Sequence, residues 1–381
     1  MNAMYIGSFD PFTLGHLNIV NKALEKYEEL IICVGKNDTK NSLFTADKRK
    51  KLIELVVATH PRYKDINVII SNDLTVDIAR CHNVNVLVRG IRSDADMQNE
   101  AALAETNRSL AAMRGYELKT DFFTQEDEFL KAISSSLVRK LLEIKEYTAA
   151  ARYLPKAIAQ EILASYLKEI FCEKFSNLSV AEHLWNRIVE TYSPRPYHNL
   201  LHLAYMFDML KLYQKYNETS AYSRWELHLA IFLHDYVYDT GKTPSEPYSN
   251  ETDSANLVNE WKLERYIQLP YYKNLQLIAS LIMATTHNDA FMRDSLHMLI
   301  ADLDLSILGT ADTVTWKNYT DGIRKEYAAF SDEEYKQERL HFLFKLLKKK
   351  HIFRTAFFCK MLEEQTRKNI TAEIKRLHGK S

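Results

Sequence analysis

Two groups of residues in this chain have the types and spacing that chemistry requires. The first is Gly7-Ser8-Phe9-Asp10-Pro11-Phe12-Thr13-Leu14-Gly15-His16, which follows the apolar run Met4-Tyr5-Ile6 and precedes an amphipathic segment. A strand, a glycine-bearing turn and a helix start gather free backbone N–H groups at one point, the arrangement that receives phosphate oxygens. His16 stands at the helix mouth, within reach of the same anion. The second group is His198, His202, His234-Asp235 and the acidic pair Asp302 and Asp304. His198 and His202 are four apart and predict one face of a helix start. Ionisable neighbours in the apolar run Ala230 to Leu233 are costly without a partner, and a divalent metal is the natural partner for imidazole with carboxylate.

The elements that must position the first group are strands alternating with helices. Strands are predicted at Met4–Gly7, Leu30–Gly35, Ile66–Ile70, Val84–Arg89 and Leu118–Phe122. Helical patterns fall at Leu17–Tyr27, Ala46–Thr59, Val76–Cys81 and Asn99–Gly115. Such alternation predicts βαβ units and a parallel sheet, with ligands outside the carboxyl ends of the strands. The polar clusters beyond those ends should converge there: Ser8 to His16, Lys36 to Lys40, Thr75, and Arg89-Gly90-Ile91-Arg92. Arginine brings a forked charge to phosphate and lysine a point charge, while Ser134-Ser135-Ser136 adds hydroxyls and another helix start. There is no GxxxxGK[ST] loop and no GxGxxG. The basic run Lys48–Lys51 reads as an exposed helix face. From Ile158 onward the pattern is almost wholly helical, so an all-α domain should hold the second group.

Formal charge is zero, with 50 basic and 50 acidic residues, which removes any global field for nucleic acid. Four scattered cysteines read as reduced and mostly buried, and no long apolar run calls for a membrane span. A cytoplasmic protein with no membrane or nucleic-acid partner is expected.

GSFDPFTLGH resembles the (T/H)xGH signature of nucleotidyltransferases, specifically the pantetheine-phosphate adenylyltransferases. The likeness continues through TKNSLFT, VRGIR, Glu100, Asn107-Arg108 and ISSSLVR, and spans residues 1–165. It implies a Rossmann-like α/β domain that transfers AMP from ATP to 4′-phosphopantetheine, giving dephospho-CoA and pyrophosphate, with Mg²⁺ on the triphosphate. By that resemblance Ser8, Phe9, His16, Gly90, Ile91, Arg92, Glu100, Ser134, Ser135 and Ser136 would contact ATP. Ser8, Lys40, Thr75 and Arg89 would contact the acceptor, and His16, Lys40 and Ser8 would serve catalysis. The resembled enzymes form homo-oligomers. Ile6, Met97-Gln98-Asn99 and Leu130-Lys131-Ala132 depart from the family pattern in walls that touch acceptor or adenine. A transferase for another phosphorylated acceptor is the alternative.

Across residues 166–381, YHNLLH, FLHDYVYD, NETDS and DLDLSILG resemble the HD superfamily of metal-dependent phosphohydrolases. The resemblance implies that His202, His234, Asp235 and either Asp304 or Asp302 ligate Mn²⁺, Mg²⁺, Fe²⁺ or Zn²⁺, with His198 either supporting the ligands from behind or acting as general acid. His287 would serve a second metal or bind phosphate, and Asp239, Asn250 and Glu251 would line the same pocket. In the alternative, this half is a non-catalytic nucleotide-binding regulatory module.

Overall fold

The computed structural model describes residues 2–36, 42–175, 181–217, 224–241, 249–260 and 272–379. Lys40 lies outside them. The chain forms two compact units, Met1–Ile162 and Leu163–Ser381.

In the first unit the strands are β1 (Asn2–Gly7), β2 (Glu29–Gly35), β3 (Ile66–Ser71), β4 (Val86–Ile91) and β5 (Lys119–Thr124). They form one sheet of order β3-β2-β1-β4-β5, parallel throughout. Between them run α1 (Leu14–Lys26), α2 (Ala46–Val57), α3 (Thr75–Cys81) and α4 (Asp94–Met113). Side chains alternate across the pleat, so Met4, Ile31, Cys33 and Leu87 share one face with Val76, Ala79 and Ala111 from α3 and α4. Ala3, Tyr5, Ile32 and Val88 are buried on the other. Both faces are therefore apolar, as a covered parallel sheet requires. The strand order reverses between β1 and β4, and their carboxyl ends open the crevice where such sheets take ligands.

Three short helices follow: α5 (Glu128–Ala132), α6 (Ser135–Glu143) and α7 (Tyr147–Ala151). Ser134 caps α6 by accepting from Leu137 N at 3.1 Å.

The second unit is helical. Helix α8 (Lys156–Phe175) leads into α9 (Ala181–Tyr192), α10 (Leu200–Asn217), α11 (Trp225–Leu233), α12 (Ser249–Glu260), α13 (Tyr272–Ala284), α14 (Ser295–Leu305), α15 (Thr313–Glu326), α16 (Asp332–Lys348) and α17 (Ala356–His378). Helix α11 is buried from Glu226 to Leu233, which makes it the centre of the bundle. Phe232 meets Phe171 and Phe207 with ring centroids 5.5 and 4.9 Å apart. Ile352, Phe353 and Phe358 are part of the core.

Three expectations need correction. Helix α10 starts at Leu200, because Asn199 caps it by accepting from Leu201 N at 2.8 Å, so His198 precedes the helix rather than sharing a face with His202. Of the cysteines only Cys33 is fully buried, and Cys81 is exposed at the end of α3. The Lys48–Lys51 run is no uniform solvated face, since Arg49 is buried and bonds to backbone carbonyls. Among the described residues no helix is long and apolar enough to cross a membrane.

Candidate functional sites

In the first unit a cleft of about 460 Å³ opens at the β1–β4 switch point. Ser8, Phe9, His16, Arg89, Gly90, Arg92, Glu100 and Ser134 to Ser136 line it. Two expected members do not. Ile91 points into the core at 4% exposure, on the buried side of the strand alternation. Thr75 begins α3 after β3, the edge strand, with β2 standing between it and β1.

The loop after β1 is built around His16. Thr13 and His16 form a reciprocal cap, in which Thr13 N donates to His16 Nδ1 at 3.0 Å. A backbone amide can only donate, so Nδ1 accepts and the ring proton sits on Nε2. Burial, helped by the Arg92 guanidinium, lowers the His16 pKa to about 4. His16 is thus a neutral N–H donor at the mouth of α1 at physiological pH. Phe9 adopts φ 47° and sets its ring edge-on to His16, with centroids 5.1 Å apart. Gly90 is required by close approach, since a Cβ there would stand 2.9 Å from Ile19 Cγ1.

Several structural members carried no separate signal in the sequence. Asp10 accepts from Leu43 N and Phe44 N at 2.8 and 3.0 Å, tying the segment after the first loop to β1. Arg49 binds the carbonyls of Ser8, Gly35 and Phe44. Arg139 donates to Asp10 O at 2.9 Å and Ser136 Oγ at 3.0 Å. Gln125 Nε2 holds Gly15 O at 2.9 Å. Asp10 and Arg139 stood inside the motifs, and Arg49 was hidden in a basic run. A wall of amides, hydroxyls and guanidinium groups of this kind suits a polyphosphate.

In the helical unit, His202, His234, Asp235 and Asp304 bring one ligand atom each within 4.8 Å of one another. They come from α10, the turn ending α11, and α14. His234 Nδ1 lies 2.9 Å from Ile231 O, an acceptor, so Nδ1 carries the proton and Nε2 faces the cluster. There it stands 3.1 Å from His202 Nε2 and 2.9 Å from Asp235 Oδ2. Asp235 Oδ2 is buried, and its close contact with His234 Nε2 lacks the angle of a hydrogen bond, which leaves it unsatisfied among the described residues. Two converging imidazole nitrogens and two carboxylates, one of them with an unsatisfied buried oxygen, form a donor set that fits a divalent cation. Burial opposes protonation of His234, yet Asp235 and Asp304 raise its pKa well above the usual value. Burial likewise opposes ionisation of Asp304, but hydrogen bonds to His202, His234 and His287 hold it well below the carboxylate range.

Asp302 is not in this cluster. Its carboxylate accepts from Arg354 N (2.8 Å), Thr355 N (2.7 Å) and Thr355 Oγ1 (2.8 Å), fixing the start of α17. One and two residues along a helix point in different directions, and Asp304 alone faces the histidines. His287 Nε2 reaches Asp304 Oδ2 at 2.9 Å. Asn250 is spent on the Asp239 backbone, at 3.0 and 3.1 Å. Burial raises the Glu251 pKa, and the charges of Asp235, His287 and Asp304 act on it. His198 sits beside the cluster, Nε2 3.8 Å from Asp235 Oδ2. Its partner was not foreseen: Glu326 receives His198 Nδ1 at 2.6 Å and the amides of Tyr197 and His198 at 2.9 and 2.8 Å.

The fold and cleft of the first unit define a nucleotidyltransferase, and residues 4–141 match the cytidylyltransferase-like family model. A phosphopantetheine adenylyltransferase of Porphyromonas gingivalis is 42% identical over 140 residues, 37% of this chain and 86% of the relative. One from Lachnoclostridium phytofermentans is 38% identical over 164 residues, covering 43% of this chain and 94% of the relative. Through this N-terminal part the chain belongs to the phosphopantetheine adenylyltransferase family. A solved Plasmodium falciparum nicotinic acid mononucleotide adenylyltransferase, complexed with NaAD, is 17% identical. It covers 43% of this chain and 95% of its own at a TM-score of 0.34, and lends nothing further to the reading.

Proposed function

We propose that the first unit transfers AMP from ATP to 4′-phosphopantetheine, releasing pyrophosphate and forming dephospho-CoA. The observation that carries this reading is the neutral His16 N–H at the mouth of α1, in a cleft shared with Arg92 and the Ser134–Ser136 turn. An acceptor phosphate oxygen forms its bond to the α-phosphorus as the α–β bridging bond breaks. No covalent enzyme intermediate is needed, so alignment and charge stabilisation carry the rate. His16 donates to an α-phosphate oxygen, Ser8 and Arg92 hold the nucleotide, and Arg89 and Lys40 take the acceptor phosphate. Mg²⁺, arriving with ATP, supplies charge neutralisation along the triphosphate. Pyrophosphate release across a panel of phosphorylated acceptors, with ATP and with CTP, tests the assignment. It should be fastest with ATP and 4′-phosphopantetheine, and faster turnover of another acceptor sinks it.

For the helical unit we propose a divalent-metal phosphohydrolase. His202, His234, Asp235 and Asp304 would hold the ion, which when bound lowers the pKa of a water. His198, oriented by Glu326, stands beside them as proton donor to a leaving oxygen. Phosphate release from a phosphoester panel with Mn²⁺ tests this, and a metal-loaded protein inert to every ester overturns it.

A further inference from the structure

Next to the helical cluster, two cations are gathered on one neutral oxygen. The chain leaves α13 through His287, a non-glycine residue at φ 56°. Its amide donates back to Ala284 O at 3.2 Å. Its carbonyl accepts from Lys349 Nζ at 3.3 Å and from Arg354 Nη2 at 3.0 Å. The acid bonded to Arg354 is Asp289, 2.8 Å from Nη2, and its side chain is 90% exposed, so water screens it. Burial, and then the Arg354 charge, presses the Lys349 pKa down. Of these like charges drawn together in a half-buried place, Arg354 has only a screened carboxylate as ion-pair partner, and Lys349 has none among the described residues.

The hydrogen-bond accounts at this place are also open. The Arg354 side chain is only 12% exposed. Its Nη1 is buried with no partner among the described residues, and His287 Nδ1 is in the same condition. A guanidinium edge and an ammonium side by side are the donors that a phosphoryl group takes. His287 joins this place to the cluster through Nε2 and Asp304 Oδ2, 2.9 Å apart.

We propose that Lys349 and Arg354, on the far side of His287 from Asp304, form a phosphate-recognition subsite of the helical unit. Its substrate then carries a second phosphoryl group besides the one at the cluster, as nucleoside diphosphates and other diphosphate esters do. That the anion belongs to a hydrolase substrate rests on the phosphohydrolase reading, whereas anion binding itself does not.

The test is calorimetric titration of inorganic pyrophosphate into the full chain with EDTA present. An Arg89→Ala/Arg92→Ala background weakens the cleft of the first unit. Pyrophosphate should bind this background, and adding Lys349→Gln/Arg354→Gln should weaken binding at least ~10-fold, as loss of charge-assisted bonds demands. Arg354→Lys should keep part of the affinity, and each single variant should show part of the loss, which separates anion binding from a folding defect. No binding in the background, or equal affinity after both glutamine changes, overturns the proposal. Mn²⁺ and a nucleoside diphosphate then report on hydrolysis separately. Silence there, with EDTA-independent binding intact, sinks the phosphohydrolase reading and leaves the subsite standing.

Discussion

Glu100 grips Arg89 with both carboxylate oxygens, Oε2 2.5 Å from Nε and Oε1 2.7 Å from Nη2, while Arg89 Nη1 donates to Ile6 O at 2.9 Å. The guanidinium is thereby fixed across the ends of β1 and β4 before any ligand arrives. This makes Glu100 a positioning residue for Arg89, although the family resemblance carries it over as an ATP contact.

Glu100→Gln should therefore act on the acceptor and not on the nucleotide. The acceptor KM should rise about 10-fold, the scale of one charge-assisted bond, with the ATP KM moving less than about twofold. Glu100→Asp should recover part of the loss. Steady-state kinetics with each substrate varied in turn decides between the roles, and a rise in ATP KM alone would return Glu100 to the nucleotide.

The same pair shows what could be read from sequence. Arg89 and Glu100 were both visible as motif residues, because charge type and motif survive in one dimension. Their mutual bond was not, since it depends on where α4 begins after β4. Strand positions were legible from apolar runs, whereas Asp302 and Asp304 stood as equal candidates because both lie in the same apolar segment. Arg49 was misread because a buried arginine has the same letter as a solvated one. Glu326 was silent because it reaches His198 from a helix more than a hundred residues away, at 2.6 Å.

His16 yields a pH prediction. Its folded pKa near 4 lies below the unfolded value of about 6.5, so between these limits the unfolded chain binds more protons. Stability on this account is full above pH 6.5 and falls as pH drops towards 4, by about 3 kcal/mol at most. Urea midpoints of wild type and His16→Gln, measured from pH 7 to 4, should converge as wild type loses this advantage. Parallel lines would place the His16 pKa elsewhere. At pH 7.5, His16→Ala should lower kcat by roughly 10²–10³, the usual cost of one donor to developing charge.

Gly90 is set by Ile19. A Cβ at residue 90 would lie 2.9 Å from Ile19 Cγ1 and 3.2 Å from Cδ1, closer than packed carbons tolerate. Gly90→Ala should destabilise by about 1–3 kcal/mol through overpacking and displace β4 from α1. Denaturant unfolding checks the first effect. A higher KM for both substrates checks the second, because Arg89 and Arg92 flank residue 90 on the same backbone.

Asp302 and Asp304 should separate cleanly when each is replaced. Asp302 is fully buried and satisfies two backbone amides and the Thr355 hydroxyl at the start of α17. Asp302→Ala strands these donors and should cost about 2–4 kcal/mol, on the scale of buried groups left without partners. It removes no atom from the four-residue cluster, so Mn²⁺ binding by equilibrium dialysis should survive below the new melting point. Asp304→Ala deletes a cluster oxygen that faces His202 Nε2 at 3.3 Å and frees His287 from its 2.9 Å contact. It should weaken Mn²⁺ more than about 10-fold, since even partners that merely orient metal ligands cost that much. Its effect on stability without metal should be smaller, because removing a carboxylate also removes repulsion from Asp235, which lies in the same cluster. If Asp302→Ala abolished binding while Asp304→Ala kept it, the assignment of the cluster would be reversed.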